Sequence, residues 1–195
     1  MLAAVILSGG ASSRMGSPKA LLPYQGRPFL EHLLEVTSHR NIGVRRVVLG
    51  AHAEPIAKAI QLEADEIVIN EDWEKGQLSS VQAALRSLPS GTDGILLCLI
   101  DHPLISSSLV QDLIEQFYKT MKPIVLPVYQ GRRGHPVIFS ASLYDELHRT
   151  SLETGARAVV WAHTGEVEEV QTNEEGCVLN LNDPETMNKA TQRKD

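Results

Sequence analysis

Six apolar residues in a row, Leu2-Ala3-Ala4-Val5-Ile6-Leu7, stop abruptly at Ser8-Gly9-Gly10. A run this short with no polar member suits a strand buried on both faces, and such strands belong to parallel sheets covered by helices. Similar runs recur at Val47-Val48-Leu49, Ile67-Val68-Ile69, residues 95–100 and Ile124-Val125-Leu126. Between them, Phe29, Leu30, Leu33, Leu34 and Val36 fall near helical spacing, as do Leu78, Val81, Ala84, Leu85 and Leu88 before Pro89, and Leu109, Val110, Leu113, Ile114 and Phe117. The alternation predicts an α/β fold with a mostly parallel sheet. Residues 128–139 change pattern: two β-prone pieces flank Gly131-Arg132-Arg133-Gly134, which predicts a hairpin forming a small lid. Further along, 156–162 reads as a short helix, 167–170 and 178–181 as strands, and Asp183-Pro184-Glu185 as the capped start of a last helix. The polar tail, 191–195, is expected to fray.

At 195 residues and 43% hydrophobic content the chain is expected to form a single domain over 1–195, too short for two full-sized enzyme domains. Eighteen Lys and Arg against 24 Asp and Glu give a net charge of −6, which argues against a nucleic-acid partner. The apolar runs fall far short of the roughly 20 residues that span a bilayer. The first of them lacks the basic start of a signal peptide, so a cytoplasmic location without membrane attachment is expected. Cys98 and Cys177 form no CxxC pair, which removes support for zinc ribbons, dithiol chemistry and disulfide scaffolds. Trp73 and Trp161 read as packing groups, and His32, His39, His52, His148 and His163 as ordinary surface or helix residues.

Chemistry concentrates after the first strand, in Leu7-Ser8-Gly9-Gly10-Ala11-Ser12-Ser13-Arg14-Met15-Gly16-Ser17-Pro18-Lys19. Small residues at the end of a buried strand can turn several N–H groups toward an anion, while Arg14 and Lys19 can add charge-assisted bonds of about 1.5–3 kcal/mol each. This suits a polyphosphate. Neither the Walker A pattern nor the G-x-G-x-x-G dinucleotide fingerprint is present. On glycines alone, a βα loop with incidental charges would read equally well; the whole string is more specific.

The string resembles the L-A-[AG]-G-x-S-x-R-M-G-x-x-K signature of small-molecule nucleotidyltransferases, most closely the molybdenum cofactor cytidylyltransferase and guanylyltransferase group. Further segments agree in order: Asn70 with Gly76-Gln77-x-Ser79-Ser80, then Asp101-His102-Pro103, Arg133-Gly134-His135-Pro136 and Asn180-Leu181-Asn182-Asp183-Pro184-Glu185. The resemblance covers nearly the whole chain. It implies a Rossmann-like three-layer α/β/α nucleotide-diphospho-sugar-transferase fold, and transfer of a nucleoside monophosphate from a triphosphate. Leu7 to Ser13, Arg14 and Lys19 would bind the triphosphate, with Asn70, Gly76, Gln77 and Ser80 on the ribose and base.

Asp101 follows the most apolar strand, at the strand end where open α/β sheets place ligands. A lone carboxylate about 4 Å from a phosphate charge would cost roughly 4 kcal/mol at an effective dielectric of 20, a repulsion that a bridging divalent cation removes. Oxygen donors without clustered Cys and His favour Mg²⁺ over zinc. The plainer role, capping the helix after Pro103, can fall to Ser106 or Ser107 instead. Asn180 and Asn182, two apart in a strand-like stretch, would share a face. The resemblance makes Asn182, then Asn180, the metal ligand opposite Asp101, although Asn also satisfies backbone groups at turns.

On the acceptor side, the resemblance points to Arg133, His135 and Arg157, against the plainer reading of a hairpin with solvated arginines and a salt-bridged Arg157. Leu152-Glu153-Thr154-Gly155-Ala156-Arg157 departs from the G-D-x-G-A-R pattern at its first two residues. The R-G-H-P string favours the cytidylyl branch, while Gly9-Gly10 and the two asparagines favour the guanylyl branch. The expected reaction is Mg²⁺-dependent transfer of CMP from CTP to the terminal phosphate of a molybdopterin-type cofactor, with release of pyrophosphate and Arg14, Lys19 and Asp101 as the catalytic residues. GMP transfer from GTP, or nucleotidyl transfer to another small phosphorylated acceptor, is the alternative; a non-catalytic nucleotide- or cofactor-binding protein is the remote one. The family also implies a molybdoenzyme that receives the product.

Overall fold

The structure is a computed structural model, and it describes residues 1–12, 16–182, 186 and 187. Strands are β1 (Leu2–Ser8), β2 (Pro23–Tyr24), β3 (Arg27–Pro28), β4 (Ile42–Leu49), β5 (Ile67–Ile69), β6 (Gly94–Leu99), β7 (Ile124–Tyr129), β8 (Arg132–Arg133), β9 (Val137–Ser140) and β10 (Val167–Gln171). Helices are α1 (Phe29–Val36), α2 (Ala53–Ala59), α3 (Gln77–Ser87), α4 (Ser107–Thr120), α5 (Tyr144–Arg149) and α6 (Arg157–Ala162). The main sheet runs β10-β7-β9-β6-β1-β4-β5, with β8 paired to β7 and the short β2–β3 ladder apart from it.

Every residue of β1 is buried, and its alternation divides the core. Leu2 and Ile6 pack with α1 and α4 residues such as Leu33 and Leu113. Ala3, Val5 and Leu7 pack with Leu78 and Val81 of α3, Leu147 of α5 and Val159 of α6. Helices thus cover both faces, the three-layer arrangement expected of a fully buried parallel strand. Ser106 caps α4 by accepting from the Leu109 amide at 3.1 Å, so the cap does not fall to Asp101.

β1 pairs in parallel with β4 on one side and β6 on the other. The chain moves outward from β1 to β4 and β5, then returns across it to β6. That reversal opens a crevice at the carboxyl ends of β1 and β6, where doubly wound sheets bind ligands.

Two expectations fail. The lid over 128–139 does not form: the turn at Gln130-Gly131 joins β7 only to the two-residue β8, while β9 enters the main sheet antiparallel between β6 and β7. Val137, Ile138 and Phe139 are buried, and that apolar run gains more inside the sheet than on a projecting ladder. The strand over 178–181 is also absent. A 3-10 turn, Glu175–Val178, leads into extended chain, and the Leu181 amide bonds the Asp101 carbonyl at 2.8 Å. The last helix start at Asp183-Pro184-Glu185 and the tail 191–195 lie outside the described residues. Among the described residues no helix is long and apolar enough to cross a membrane.

Candidate active site

A cavity of about 380 Å³ occupies the crevice beyond β1 and β6. Its floor is the end of β1 and the loop after it: Leu7, Ser8, Gly9, Gly10 and Ser12 line it, with Lys19 from the following 3-10 turn. Ser12 has φ 51° and its hydroxyl accepts from the Lys19 amide at 3.1 Å, which closes the loop on itself. A Cβ on Gly9 would sit 3.2 Å from the Ser80 hydroxyl, so a side chain there would press that hydroxyl back by a few tenths of an ångström. Gly10 has nothing within 4 Å of its would-be Cβ, so its backbone faces open space at the cavity. Ala11 does not line the cavity; its carbonyl is held by the His52 Nε2 at 2.7 Å. Ser13 and Arg14 lie outside the described residues.

One wall comes from the start of α3. Gly76, at φ 100°, makes the turn into the helix, and Gly76, Gln77 and Ser80 all line the cavity. Asn70 does not. It is buried, and its amide donates to the Ser79 and Ser80 hydroxyls at 2.9 and 3.0 Å, so it positions Ser80. Trp73 also lines the cavity, against the expectation of a packing role, and stands against Gly50 and Gly9. Its position between Asn70 and Gly76 was the available signal. Trp161 is 63% exposed, beneath the Arg157 guanidinium 5.4 Å from its ring centroid, and packs in no core.

The opposite wall carries Asp101, placed by the end of β6 as the sequence predicts. The Lys19 ammonium donates to Asn182 Oδ1 at 2.5 Å and lies 4.0 Å from Asp101 Oδ2, with both charged side chains mostly buried. Asn182 therefore joins Asp101 in the cavity. Asn180 is exposed and lines no part of it: the Asn182 amide donates to the Asn180 carbonyl at 3.2 Å, a tight turn that breaks the alternation between the two.

The proposed acceptor residues are dispersed. Arg133 pairs with Glu169 on β10 at 2.7 Å, and the Arg157 Nε donates to the Thr154 carbonyl at 3.1 Å. His135 packs on His102, ring centroids 5.0 Å apart, and the Nδ1 atoms of both are buried without a hydrogen-bond partner among the described residues. Burial, reinforced by His102, pushes His135 down to about 4. His102 is likewise lowered by burial, against the opposing pull of Asp101. Neither ring lines the cavity, and a lowered pKa favours the neutral imidazole, which carries no charge for an anion. The adjacency of His102 to Asp101 in the sequence was the clue to that pair.

The residues fit a divalent cation. Asp101 and Asn182 offer oxygen donors, and the cavity already draws the chain's own cation, Lys19, toward both. Among the described residues no group of three or more His, Cys, Asp or Glu could hold a metal, so phosphate and water oxygens would complete the shell, as suits Mg²⁺.

Residues 4–167 match the family model described as the MobA-like NTP transferase domain. A nicotine blue oxidoreductase from Paenarthrobacter nicotinovorans is 34% identical over 165 residues, 78% of each chain. A probable molybdenum cofactor guanylyltransferase from Bacillus cereus (strain ATCC 10987 / NRS 248) is 30% identical over 134 residues, 67% of this chain and 64% of that protein. The crystal structure of Rv0371c from Mycobacterium tuberculosis H37Rv matches with TM-score 0.82 and 28% identity over 98% of both chains. Its manganese complex matches with TM-score 0.77, 26% identity and the same coverage.

Proposed function

The chain belongs to the MobA-like NTP transferase family, a nucleotidyltransferase family, and from that premise we propose that it transfers CMP from CTP to the terminal phosphate of a molybdopterin-type acceptor. The observation that supports the transfer is the meeting of the glycine-rich loop, Lys19, Asp101 and Asn182 around one cavity, and the R-G-H-P string, residues 133–136, is what favours CTP as the donor. An acceptor phosphate oxygen attacks the α-phosphorus, the bond to the bridging oxygen breaks, and pyrophosphate leaves with the electron pair. The acceptor is already ionised near neutral pH, so the protein needs no strong base and works by alignment and charge neutralisation.

Backbone N–H groups of the loop would hold the triphosphate, and Lys19 would steady the leaving pyrophosphate. Arg14 keeps the same proposed role on the strength of its motif. Asp101 and Asn182 would hold Mg²⁺, which when bound supplies charge neutralisation at the α-phosphate. The manganese complex of the similar Rv0371c supports a divalent ion for a protein of this fold. Gly76, Gln77 and Ser80 would meet ribose and base.

GTP is the second reading of the donor, favoured by the guanylyltransferase relative. The oxidoreductase relative favours a different class, a redox reaction in place of nucleotidyl transfer. Pyrophosphate release by purified protein with Mg²⁺, molybdenum cofactor and equal CTP or GTP tests the transfer and its donor. Release with CTP supports the proposal, release with GTP alone changes the donor, and release with neither refutes this transfer.

A further inference from the structure

Lys19 does more here than wait for phosphate. Its ammonium bonds Asn182 Oδ1 at 2.5 Å and stands 4.0 Å from Asp101 Oδ2, so the two oxygens assigned to the metal already share a cation from the chain. The arrangement is well held. The Lys19 amide is tied to the Ser12 hydroxyl, and the Asp101 carbonyl takes the Leu181 amide one residue before Asn182. Only 13% of the Lys19 side chain and 21% of the Asp101 side chain are exposed, which limits screening by water.

We propose that Lys19 is a built-in placeholder that keeps the metal site closed until a polyphosphate draws its ammonium away. The inference rests on the nucleotidyltransferase reading and adds an order of events to it. With Lys19 in place, the Asp101 charge is offset, a lone pair of Asn182 is taken, and a positive charge repels an incoming dication. A triphosphate carries several negative charges and offers Lys19 a stronger partner in the same cavity. Once Lys19 turns to it, both oxygens are released. Nucleotide and metal then favour each other's binding, and the coupling is reciprocal. The free protein would not hold the ion idle.

The test is Mn²⁺ binding to the full chain without nucleotide, read as loss of the free-ion signal in electron paramagnetic resonance. Lys19→Met keeps the aliphatic stem and removes the charge; it is expected to bind Mn²⁺ about tenfold or more tightly than the wild type. Lys58→Met, which removes the same charge from an exposed pair with Glu54, should match the wild type. Adding Asp101→Asn to Lys19→Met should abolish the gain. Equal affinity in wild type and Lys19→Met overturns the proposal, as does a gain that survives Asp101→Asn. Lys19→Gln runs in parallel, with circular dichroism on each variant, so a folding defect in one leaves the other to decide. Pyrophosphate release by the wild type separates the two levels. A missing gain with release intact removes only the placeholder, whereas a gain without release removes the reaction and keeps the lock.

Discussion

Gly50 offers a sharp test of how the cavity is built. It follows β4 as Gly9 follows β1, and the two loops touch: the Ala51 amide donates to the Gly9 carbonyl at 3.1 Å. A Cβ on Gly50 would lie 2.4 Å from that carbonyl oxygen and 2.7 and 2.8 Å from Cβ and Cγ of Trp73. None of these atoms belongs to the far end of a flexible side chain, so Gly50→Ala must displace backbone or the root of the indole. Overpacking of this kind costs about 1–3 kcal/mol. At this chain length each kcal/mol lowers Tm by roughly 2–4 °C, so a fall of roughly 2–12 °C is expected in a thermal melt. Gly9 and Trp73 both line the cavity, so nucleotide affinity measured by calorimetry should fall about tenfold as well, equivalent to roughly 1.4 kcal/mol. Gly10→Ala is the counterpart. Its Cβ meets nothing, so Tm should stay unchanged while affinity drops if nucleotide lies against that backbone. A Gly50→Ala protein that melts and binds nucleotide like the wild type would refute the close-approach argument.

Asp101→Asn should lower turnover about 10²–10³-fold with a much smaller loss of nucleotide affinity, the pattern of a group that acts on transition-state charge; equal losses would assign it to binding or folding. Asn182→Ala should reduce activity while Asn180→Ala leaves it near wild type, since only Asn182 reaches the cavity; steady-state rates of the pair decide this. His163 bonds Glu166 at 2.6 Å through Nδ1 and Glu146 at 2.8 Å through Nε2, and these bonds raise its pKa above 6.5. The stability it contributes is complete below pH 6.5 and lost as pH rises through the raised value, so His163→Gln should remove that dependence from urea-unfolding curves. His135 has the opposite sign: held down to about 4, it contributes stability above pH 6.5 that is lost as pH falls toward 4, and His135→Asn should flatten that slope.

Local signals carried the first half of the molecule. The apolar run of β1 ending at glycines located both the central strand and the loop beneath the cavity, and the same logic placed Asp101 at the end of β6. What escaped depended on partners distant in sequence. Val137-Ile138-Phe139 reads alike as a hairpin arm or a core strand, and pairing of Val137 with Leu97 decides between them. Arg133 looks available until Glu169, 36 residues away, takes it. Asn70 sits in a binding motif, yet its amide is spent on two serine hydroxyls. The reading of Asn180 and Asn182 assumed strand periodicity, and the alternation fails at the tight turn in which the Asn182 amide bonds the Asn180 carbonyl.

A strand that runs against its neighbours delivers its first residues where they deliver their last. β9 does this beside β6, so the segment entering it brings His135 onto His102, next to Asp101, while sharing no backbone with the loop after β1. The surroundings of Asp101 thus come from two independent stretches of chain. Sequence drift or a longer turn before β9 can alter what stands behind Asp101 and leave the glycine-rich loop untouched.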